Sequence, residues 1–501
     1  MIRFNVFDKG APAESVDLDS AYLLGPDNVP MRGDFHFANG QITCETPLRG
    51  PIALALMWPV KDFGRIMLET TRLMPRPKPY NLHVELARGR LVRISQKRED
   101  WGLFDFPEGE ALYAEIDQAR AHLVEALIAP NDATAACRGE EALSASVAAG
   151  SHLAIFHADV FLKRRRAANQ LGRRPFGCCL GASAQSIGGA GPADNESLIR
   201  KLAADVDFFV LPFTWSALEP REGKNDWTSV KDLVSLLGRH KIHIRGTSIV
   251  SFERSNLPRW ATRRPKDLSR IHASMTRHVS RVLTQFGTGV HAWEVISGVN
   301  AHNDVQFTFE QLMDLTRSAV LLAKELAPRA AAIIGITLPW GEYYSRDQKT
   351  IPPLLYADMV VRNGINFDAF GLELAFGRGE REVFIRDPMQ ISTMLDTFGN
   401  LGKPLHLTVV GLAPPQSGPH PADPAPRKNA HTAFLRTIYR VALSKPFVES
   451  VAWRPPPDAS PNAPFLGLLR PDLSPTAALD QIRSLRRELV GDATRHTPHH
   501  R

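Results

Sequence analysis

The fold is decided by a stretch between Val206 and Val299 that reads Leu211-Pro212-Phe213-Thr214-Trp215-Ser216-Ala217-Leu218-Glu219-Pro220, then Ile244-Arg245-Gly246-Thr247-Ser248-Ile249-Val250, then Ala292-Trp293-Glu294-Val295-Ile296-Ser297-Gly298. Each of the three pieces is typical of the carboxyl end of a buried parallel strand. In an α/β barrel these strand ends form the face on which the chemistry takes place.

Outward from this stretch, strand and helix patterns alternate over residues 173–490. Eight near-continuous apolar runs are separated by segments with helical spacing of apolar residues. This pattern predicts a (β/α)8 TIM barrel, and an open doubly wound sheet is the alternative. The predicted strands are 176–181, 207–212, 242–250, 290–296, 332–337, 367–374, 405–412 and 448–453.

The chain in front of the barrel has a different organisation. Residues 1–106 contain short alternating runs between turn residues, which predicts a β-sandwich-like domain with strands that include 81–85 and 90–94. Residues 107–172 have helical spacing and predict a linking hairpin, interrupted at 131–134. Residues 491–501 form a basic tail that we expect to be disordered. Two placements are open for the hairpin, against the barrel or against a second copy in a homo-oligomer.

Composition narrows the classes of protein. Hydrophobic residues make up 44% and charged residues 23% of the 501 residues, as in a globular protein. No apolar run reaches the ~18 residues of a membrane span, and the N-terminus lacks a signal-peptide pattern, so we expect a cytoplasmic protein without a membrane partner. The run 163–166 is basic, but no nucleic-acid motif accompanies it, so we expect a solvated helix face and no nucleic-acid partner.

The four cysteines do not form a disulfide framework in a chain of this length. No cysteine and histidine cluster has the spacing of a zinc site, and no glycine-rich dinucleotide motif opens a helix after a strand. We therefore expect neither a metal nor a cofactor.

Several segments of the barrel together resemble glycoside hydrolase family 10, the xylanase-like barrels. The likeness covers about 176–485 and leaves the first 170 residues outside it. It implies a (β/α)8 barrel and a carbohydrate ligand, either an oligosaccharide or a polysaccharide. The segments that carry it are 215–220 with the turn at Gly223, Arg245-Gly246, Pro258 before Trp260, 293–298, 404–409 and 451–453.

The resemblance also implies two catalytic carboxylates about 5.5 Å apart, a general acid on the fourth barrel strand and a nucleophile on the seventh. Here Gly298 stands at the position of the acid and Val409 at that of the nucleophile. Neither residue can donate a proton or attack an anomeric carbon. Sugar-contacting positions of the family also differ, at Thr214, Thr247, Ser251, Phe252 and Ala375.

Two other carboxylates follow the fifth strand and end the sixth, Glu342 and Glu373. Because neighbouring strand ends lie close together, they are candidates for a relocated catalytic pair. Glu294 lies deeper in the fourth strand, where a buried carboxyl needs a partner such as an arginine. Five aromatic residues are candidates for binding a sugar ring: Trp215, Trp293, Trp340, Tyr343 and Trp453.

Three functions remain open from the sequence. The first is a carbohydrate-binding pseudoenzyme on a family 10 barrel. The second is an active hydrolase of O-glycosyl bonds that uses Glu342 and Glu373. The third is a structural or assembly protein, because a fold alone does not imply a function.

Overall fold

The computed structural model describes residues 1–47, 50–104, 106–180, 192–262, 268–377, 383–412, 430–454, 468–470 and 473–491. The front region begins with two four-stranded sheets, with strand orders β10-β1-β7-β6 and β5-β4-β8-β9, and a small β2-β3 hairpin. Apolar side chains of both sheets share one buried cluster. The strands are β1 (Ile2–Asn5), β2 (Phe7–Asp8), β3 (Ala11–Pro12), β4 (Tyr22–Leu24), β5 (Pro30–Met31), β6 (Asp34–Ala38), β7 (Gln41–Glu45), β8 (Ala53–Val60), β9 (Gly64–Glu69) and β10 (Tyr80–Asn81).

The strands predicted at 81–85 and 90–94 are wrong, because this segment forms helix α1 (Leu82–Asp100). The Asn81 side chain caps the helix by accepting a hydrogen bond from the Val84 amide. Leu82, Leu86 and Ile94 are fully buried, and their spacing of four and eight residues keeps them on one helical face. In short windows this helical spacing can be mistaken for the alternation of a strand.

The predicted hairpin is formed by α2 (Glu110–Leu127) and α3 (Asp132–Ala167). The predicted interruption at 131–134 is the start of α3, where the Asn131 side chain accepts from the Thr134 amide. Helix α3 has the length and hydropathy to cross a membrane, but 56% of its apolar window is buried within the protein. Its neighbours include α1, α2 and α11 of the barrel, so the hairpin lies against the barrel.

The basic run at the end of α3 is not only a solvated face. Arg165 is buried and donates hydrogen bonds to the Leu443 carbonyl at 2.7 Å and the Lys445 carbonyl at 2.6 Å. These carbonyls lie at the end of a barrel helix, where backbone acceptors have no partner within the helix. Arg165 therefore fixes the hairpin to the barrel.

All eight predicted barrel strands are present among the described residues, in parallel pairs, and the closed ring excludes the open-sheet alternative. The ring closes where β13 pairs with β15, through Arg245 opposite Ala292 and Gly246 opposite Trp293. The strands are β11 (Phe176–Cys179), β12 (Phe208–Pro212), β13 (His243–Thr247) with the short β14 (Val250–Ser251), β15 (Ala292–Ser297), β16 (Ala331–Ile336), β17 (Ala369–Phe376), β18 (Leu405–Leu412) and β19 (Val448–Trp453).

Helices surround the strands and cover their outer faces, so strands such as β15 are buried along their whole length. Thr308 and Gln311 form a capping box at the start of α8, one of the longer barrel helices. The barrel helices are α4 (Pro192–Leu202), α5 (Trp215–Leu218), α6 (Thr228–Arg239), α7 (Leu268–Phe286), α8 (Phe309–Leu326), α9 (Pro353–Arg362), α10 (Pro388–Gly399), α11 (Ala430–Ser444) and α12 (Ala477–Val490).

The front region is joined to the barrel beside the carboxyl end of β17. The Met67 amide donates to the Ile385 carbonyl at 3.1 Å, and the Gln390 side chain donates to the Met67 carbonyl at 2.7 Å. Arg90 of α1 forms a buried ion pair with Asp387 at 2.8 Å. The front region is therefore fixed on the rim of the barrel face on which barrel enzymes carry their chemistry.

Candidate functional site

Gly298, which the sequence resemblance aligns with the catalytic acid of the family, lies directly after β15 and has a φ of 71°. This left-handed conformation favours glycine because a Cβ would approach its own backbone. A Cβ on Gly298 would lie 3.3 Å from His302 Cδ2, 3.6 Å from Thr337 Oγ1 and 3.7 Å from Ser251 Oγ. The backbone at this strand end is therefore suited to glycine, with an imidazole and two hydroxyls around it.

Val409, which the sequence resemblance aligns with the nucleophile of the family, lies within β18 and is 7% exposed. Val409 stands opposite Glu373 of β17 in the parallel pairing. A glutamate is thus present one strand away from the nucleophile position, but it occupies a different place in the ring. An isopropyl group at position 409 cannot form a glycosyl-enzyme bond.

Glu373 is partly exposed and forms an ion pair with Arg454 at 3.0 Å. Its side chain is 28% exposed and that of Arg454 is 41% exposed, so both groups reach the surface at the carboxyl end of the barrel. The pair presents a carboxylate and a guanidinium side by side. Such a pair can donate and accept hydrogen bonds with a ligand hydroxyl.

Glu342 has a different arginine partner. It is buried in a single 3-10 turn (Glu342–Ser345) after β16 and forms an ion pair with Arg386 at 2.5 Å. The Arg386 guanidinium also lies 5.1 Å from the centre of the Trp340 ring. Each carboxylate of the predicted pair is thus held by its own arginine, and Glu342 does not reach the surface.

Glu294 is buried at the centre of the barrel, 5% exposed. Its partner is a hydroxyl and not the arginine suggested by the sequence, because Thr247 Oγ1 donates to Oε1 at 3.1 Å. Oε2 has no hydrogen-bond partner among the described residues. Burial, and then the charge of Glu373, raises the pKa of this carboxyl.

Three of the five predicted sugar-binding aromatic residues are core residues. Trp215, Trp293 and Trp453 are at most 1% exposed. Trp215 stacks on His278 and donates from Nε1 to Glu219 at 2.8 Å, while Trp293 has its edge against Phe213. None of these three tryptophans presents a ring face to a ligand in this structure.

Trp340 and Tyr343 lie at the carboxyl face and are half-buried. The Tyr343 hydroxyl is used within the protein, since it donates to the Ile351 carbonyl at 2.7 Å and accepts from Asn300 at 2.8 Å. Trp340 contacts Phe376 and lies under Arg386. Part of the Trp340 ring is accessible, since the residue is only half-buried. Tyr343 instead connects the loop after β16 to Asn300 through its hydroxyl.

The arginines that hold the carboxylates were not identified from the sequence. Arg454 directly follows the predicted strand 448–453, and Arg386 lies in the segment after the predicted strand 367–374. The sequence alone does not say which carboxylate either arginine reaches. His406 is structural, as its neighbours Ser450 and Arg245 indicate. Burial, with Arg245 nearby, holds its pKa well below the usual range.

One group among the described residues has the geometry for a metal ion, with ligand atoms of His122, Glu125 and Glu141 within 4.8 Å of one another. It lies on the helical hairpin, away from the barrel face. Arg138 donates to Glu141 at 2.8 Å and lies 3.7 Å from Glu125, so a guanidinium already neutralises these carboxylates.

Comparisons with known proteins agree with the closed barrel. Residues 195–448 match the family model for glycosyl hydrolase family 10, whereas no curated protein sequence matches the chain. Similar solved structures include a family 10 protein from Paenibacillus barcinonensis, with 15% identity, a TM-score of 0.47 and coverage of 64% of this chain and 96% of that one. Another is xylanase 10B from Thermotoga maritima, with 16% identity, a TM-score of 0.47 and coverage of 66% and 99%.

The family match spans just over half of the chain, from the first turns of α4 to the beginning of β19. It includes the strand ends that carry Gly298, Glu373 and Val409. The chain belongs to glycosyl hydrolase family 10.

Proposed function

We propose that this protein binds an oligosaccharide or polysaccharide at the carboxyl face of its barrel and does not carry out the family's retaining hydrolysis. Family membership supports a carbohydrate ligand. The observation that carries the proposal is the pair of replacements at the catalytic positions, Gly298 and Val409. Retaining hydrolysis requires a proton donor and a nucleophilic carboxylate on opposite sides of the scissile bond, and both are missing there.

The local structure at Gly298 and Val409 is unfavourable for catalytic glutamates at these two positions. Gly298 has the left-handed φ that disfavours a glutamate, and Val409 is buried in β18. The nearest substitute on the ring, Glu373, is ion-paired to Arg454, and Glu342 is buried with Arg386. Because each carboxylate is held by its own arginine, these contacts favour binding over the alternative hypothesis of a relocated pair, Glu342 and Glu373.

The test combines binding and turnover on one preparation. A glycan array followed by calorimetry with xylotriose and xylan measures binding, and reducing-sugar release from xylan measures hydrolysis. We expect binding of at least one glycan without release. Leu321→Ala, at an exposed site on α8, is purified in parallel as the unaffected control, and release that stays equal in this control, in Glu373→Gln and in Glu342→Gln indicates a contaminating hydrolase.

Two results would contradict the proposal. Hydrolysis that disappears in Glu373→Gln or Glu342→Gln but remains in Leu321→Ala would show an active enzyme with relocated carboxylates. An absence of binding to every glycan would instead favour the structural or assembly role.

A further inference from the structure

A cavity of about 290 Å³ opens between the loop after β15 and the loop after β16. Phe309 in the first turn of α8 and Leu355 in the first turn of α9 line it, together with Tyr344. The cavity therefore lies over the helix ends, outside the ring of strand ends. Its wall nonetheless includes Asn303, the neighbour of the His302 that lies beside Gly298.

We propose that this cavity holds one or two sugar rings of the ligand, an inference that rests on the proposed carbohydrate binding. Ligand pockets combine apolar and aromatic walls with a few polar groups, and they start at about 300 Å³. Phe309 and Tyr344 are half-buried, and Leu355 is 49% exposed. These side chains offer apolar surface to the C–H faces of a pyranose.

Polar groups stand at the rim of the same cavity. Gln348 and Lys349 line it and are exposed, so an amide and an ammonium are available to ligand hydroxyls. Asp347 lies next to them, and its Oδ1 accepts the Lys349 backbone amide at 3.0 Å. Donor and acceptor groups of this turn are therefore available to the hydroxyls of a sugar.

The walls of the cavity are held in place before a ligand arrives. The Asn303 side chain accepts from the Phe307 amide at 3.0 Å and donates to the Phe307 carbonyl at 2.8 Å, which fixes the first loop. The Tyr343 hydroxyl fixes the second loop through Ile351 and Asn300. A preformed site loses less conformational entropy on binding.

The front region supports the Tyr344 side of the cavity. Arg346, two residues after Tyr344, donates to the Asp19 carbonyl at 2.5 Å. Strand β5 lies against the 3-10 turn that contains Tyr344, and Pro30 of that strand lies near Gly341. The front sheets thus support the turn that carries Tyr344.

Calorimetry with xylotriose and cellotriose on the full-length protein tests this site. Tyr344→Ala and Leu355→Ala remove parts of the cavity wall, and we expect Tyr344→Ala to weaken binding of the preferred trisaccharide by about tenfold, as for other central aromatic contacts. Leu354→Ala is the matched control, because Leu354 is 40% exposed on the same helix and does not line the cavity. Thermal unfolding of each variant establishes that it is folded.

The inference is overturned if Tyr344→Ala and Leu355→Ala bind as tightly as Leu354→Ala. If Arg454→Gln then weakens binding, the ligand lies at the strand ends, and the proposed carbohydrate binding stands without this cavity. If the unaltered protein binds neither trisaccharide nor any glycan of the array, both the cavity site and the proposed function fail.

Discussion

At the scale of single residues, Gly298 lacks a carboxylate and also has a backbone conformation that is suited to glycine. Its φ of 71° predicts that Gly298→Ala lowers the free energy of unfolding by about 1–2 kcal/mol, the usual cost of a left-handed L-residue. Gly402→Ala is the control, because Gly402 has a φ of 72° with open space around it. Denaturant unfolding that shows no loss in Gly298→Ala would mean that the strand end relaxes freely.

Glu294 gives a prediction with a definite pH dependence. Its pKa is raised in the folded protein by burial and then by Glu373, whereas the unfolded carboxyl ionises near ~4.3. As pH rises above the unfolded pKa, the unfolded state loses its proton first, so the folded protein loses stability until its own carboxyl ionises. We therefore expect Glu294→Gln to match the unaltered protein near pH 4 and to become relatively more stable towards pH 8.

Denaturant unfolding at several pH values measures this difference. Glu310→Gln is the control of opposite sign, since hydrogen bonds at the start of α8 lower the pKa of Glu310. Removing that carboxylate is expected to leave the protein less stable at neutral pH. A gain from Glu294→Gln that does not depend on pH would indicate improved packing instead of a removed charge.

The sequence could place Gly298 directly after one barrel strand and Val409 within another, because the order of the strands follows from their apolar runs. It could not say that Trp215, Trp293 and Trp453 face the core, since a tryptophan at a strand end has the same sequence pattern in either orientation. It also placed Glu342 beside Glu373 because their strands are neighbours. The arginine that each carboxylate reaches depends on loop paths, and Arg386 reaches Glu342 from 44 residues away.

At the scale of elements, the closest helix contacts depend on glycine. A Cβ on Gly139 of α3 would lie 2.9 Å from the Val84 amide nitrogen and 3.0 Å from the His83 carbonyl carbon of α1. Because these are backbone atoms, we expect Gly139→Ala to cost about 1–3 kcal/mol through separation of the helices. This loss of stability is larger than the gain expected from the higher helix propensity of alanine.

Gly238 on α6 provides the matched comparison, because a Cβ there meets nothing within 4 Å. Gly238→Ala is expected to raise stability by up to about 1 kcal/mol through helix propensity alone. Thermal or denaturant unfolding of both variants measures the contrast. If Gly139→Ala were also stabilising, α1 and α3 would not be as closely packed as their contacts indicate.

Elements were predictable where the chain repeats one pattern. Most barrel strands, such as β15, are buried on both faces, so their apolar runs could be identified without knowledge of their neighbours. Helix α1 was missed because its apolar residues were interpreted in two short windows, 81–85 and 90–94. The helix buries residues around most of its surface, so its apolar period is weak, and the capping side chain of Asn81 is the local signal of its start.

At the scale of the whole molecule, the front region and the barrel are joined by a buried ion pair. Arg90 and Asp387 have side chains that are 3% and 1% exposed, and Asp387 also caps α10 by accepting from the Met389 and Gln390 amides. An asparagine at 387 keeps an oxygen that can accept these hydrogen bonds, but it leaves the Arg90 charge without a counterion. We therefore expect Asp387→Asn to lower the free energy of unfolding by about 3–5 kcal/mol, as for other buried pairs that lose one partner.

The comparison is with Asp314→Asn, which breaks the exposed pair between Arg317 and Asp314 on α8. Exposed pairs contribute about 0–1 kcal/mol, since water and salt screen them. Denaturant unfolding followed by tryptophan fluorescence measures both variants. Because Arg90 lies in the front region and Asp387 in the barrel, a large loss in a single transition is expected if the two regions unfold together. An equal, small effect of both substitutions would mean that the front region is held on the barrel by its apolar and backbone contacts alone, and the support of the turn that carries Tyr344 would then not depend on this pair.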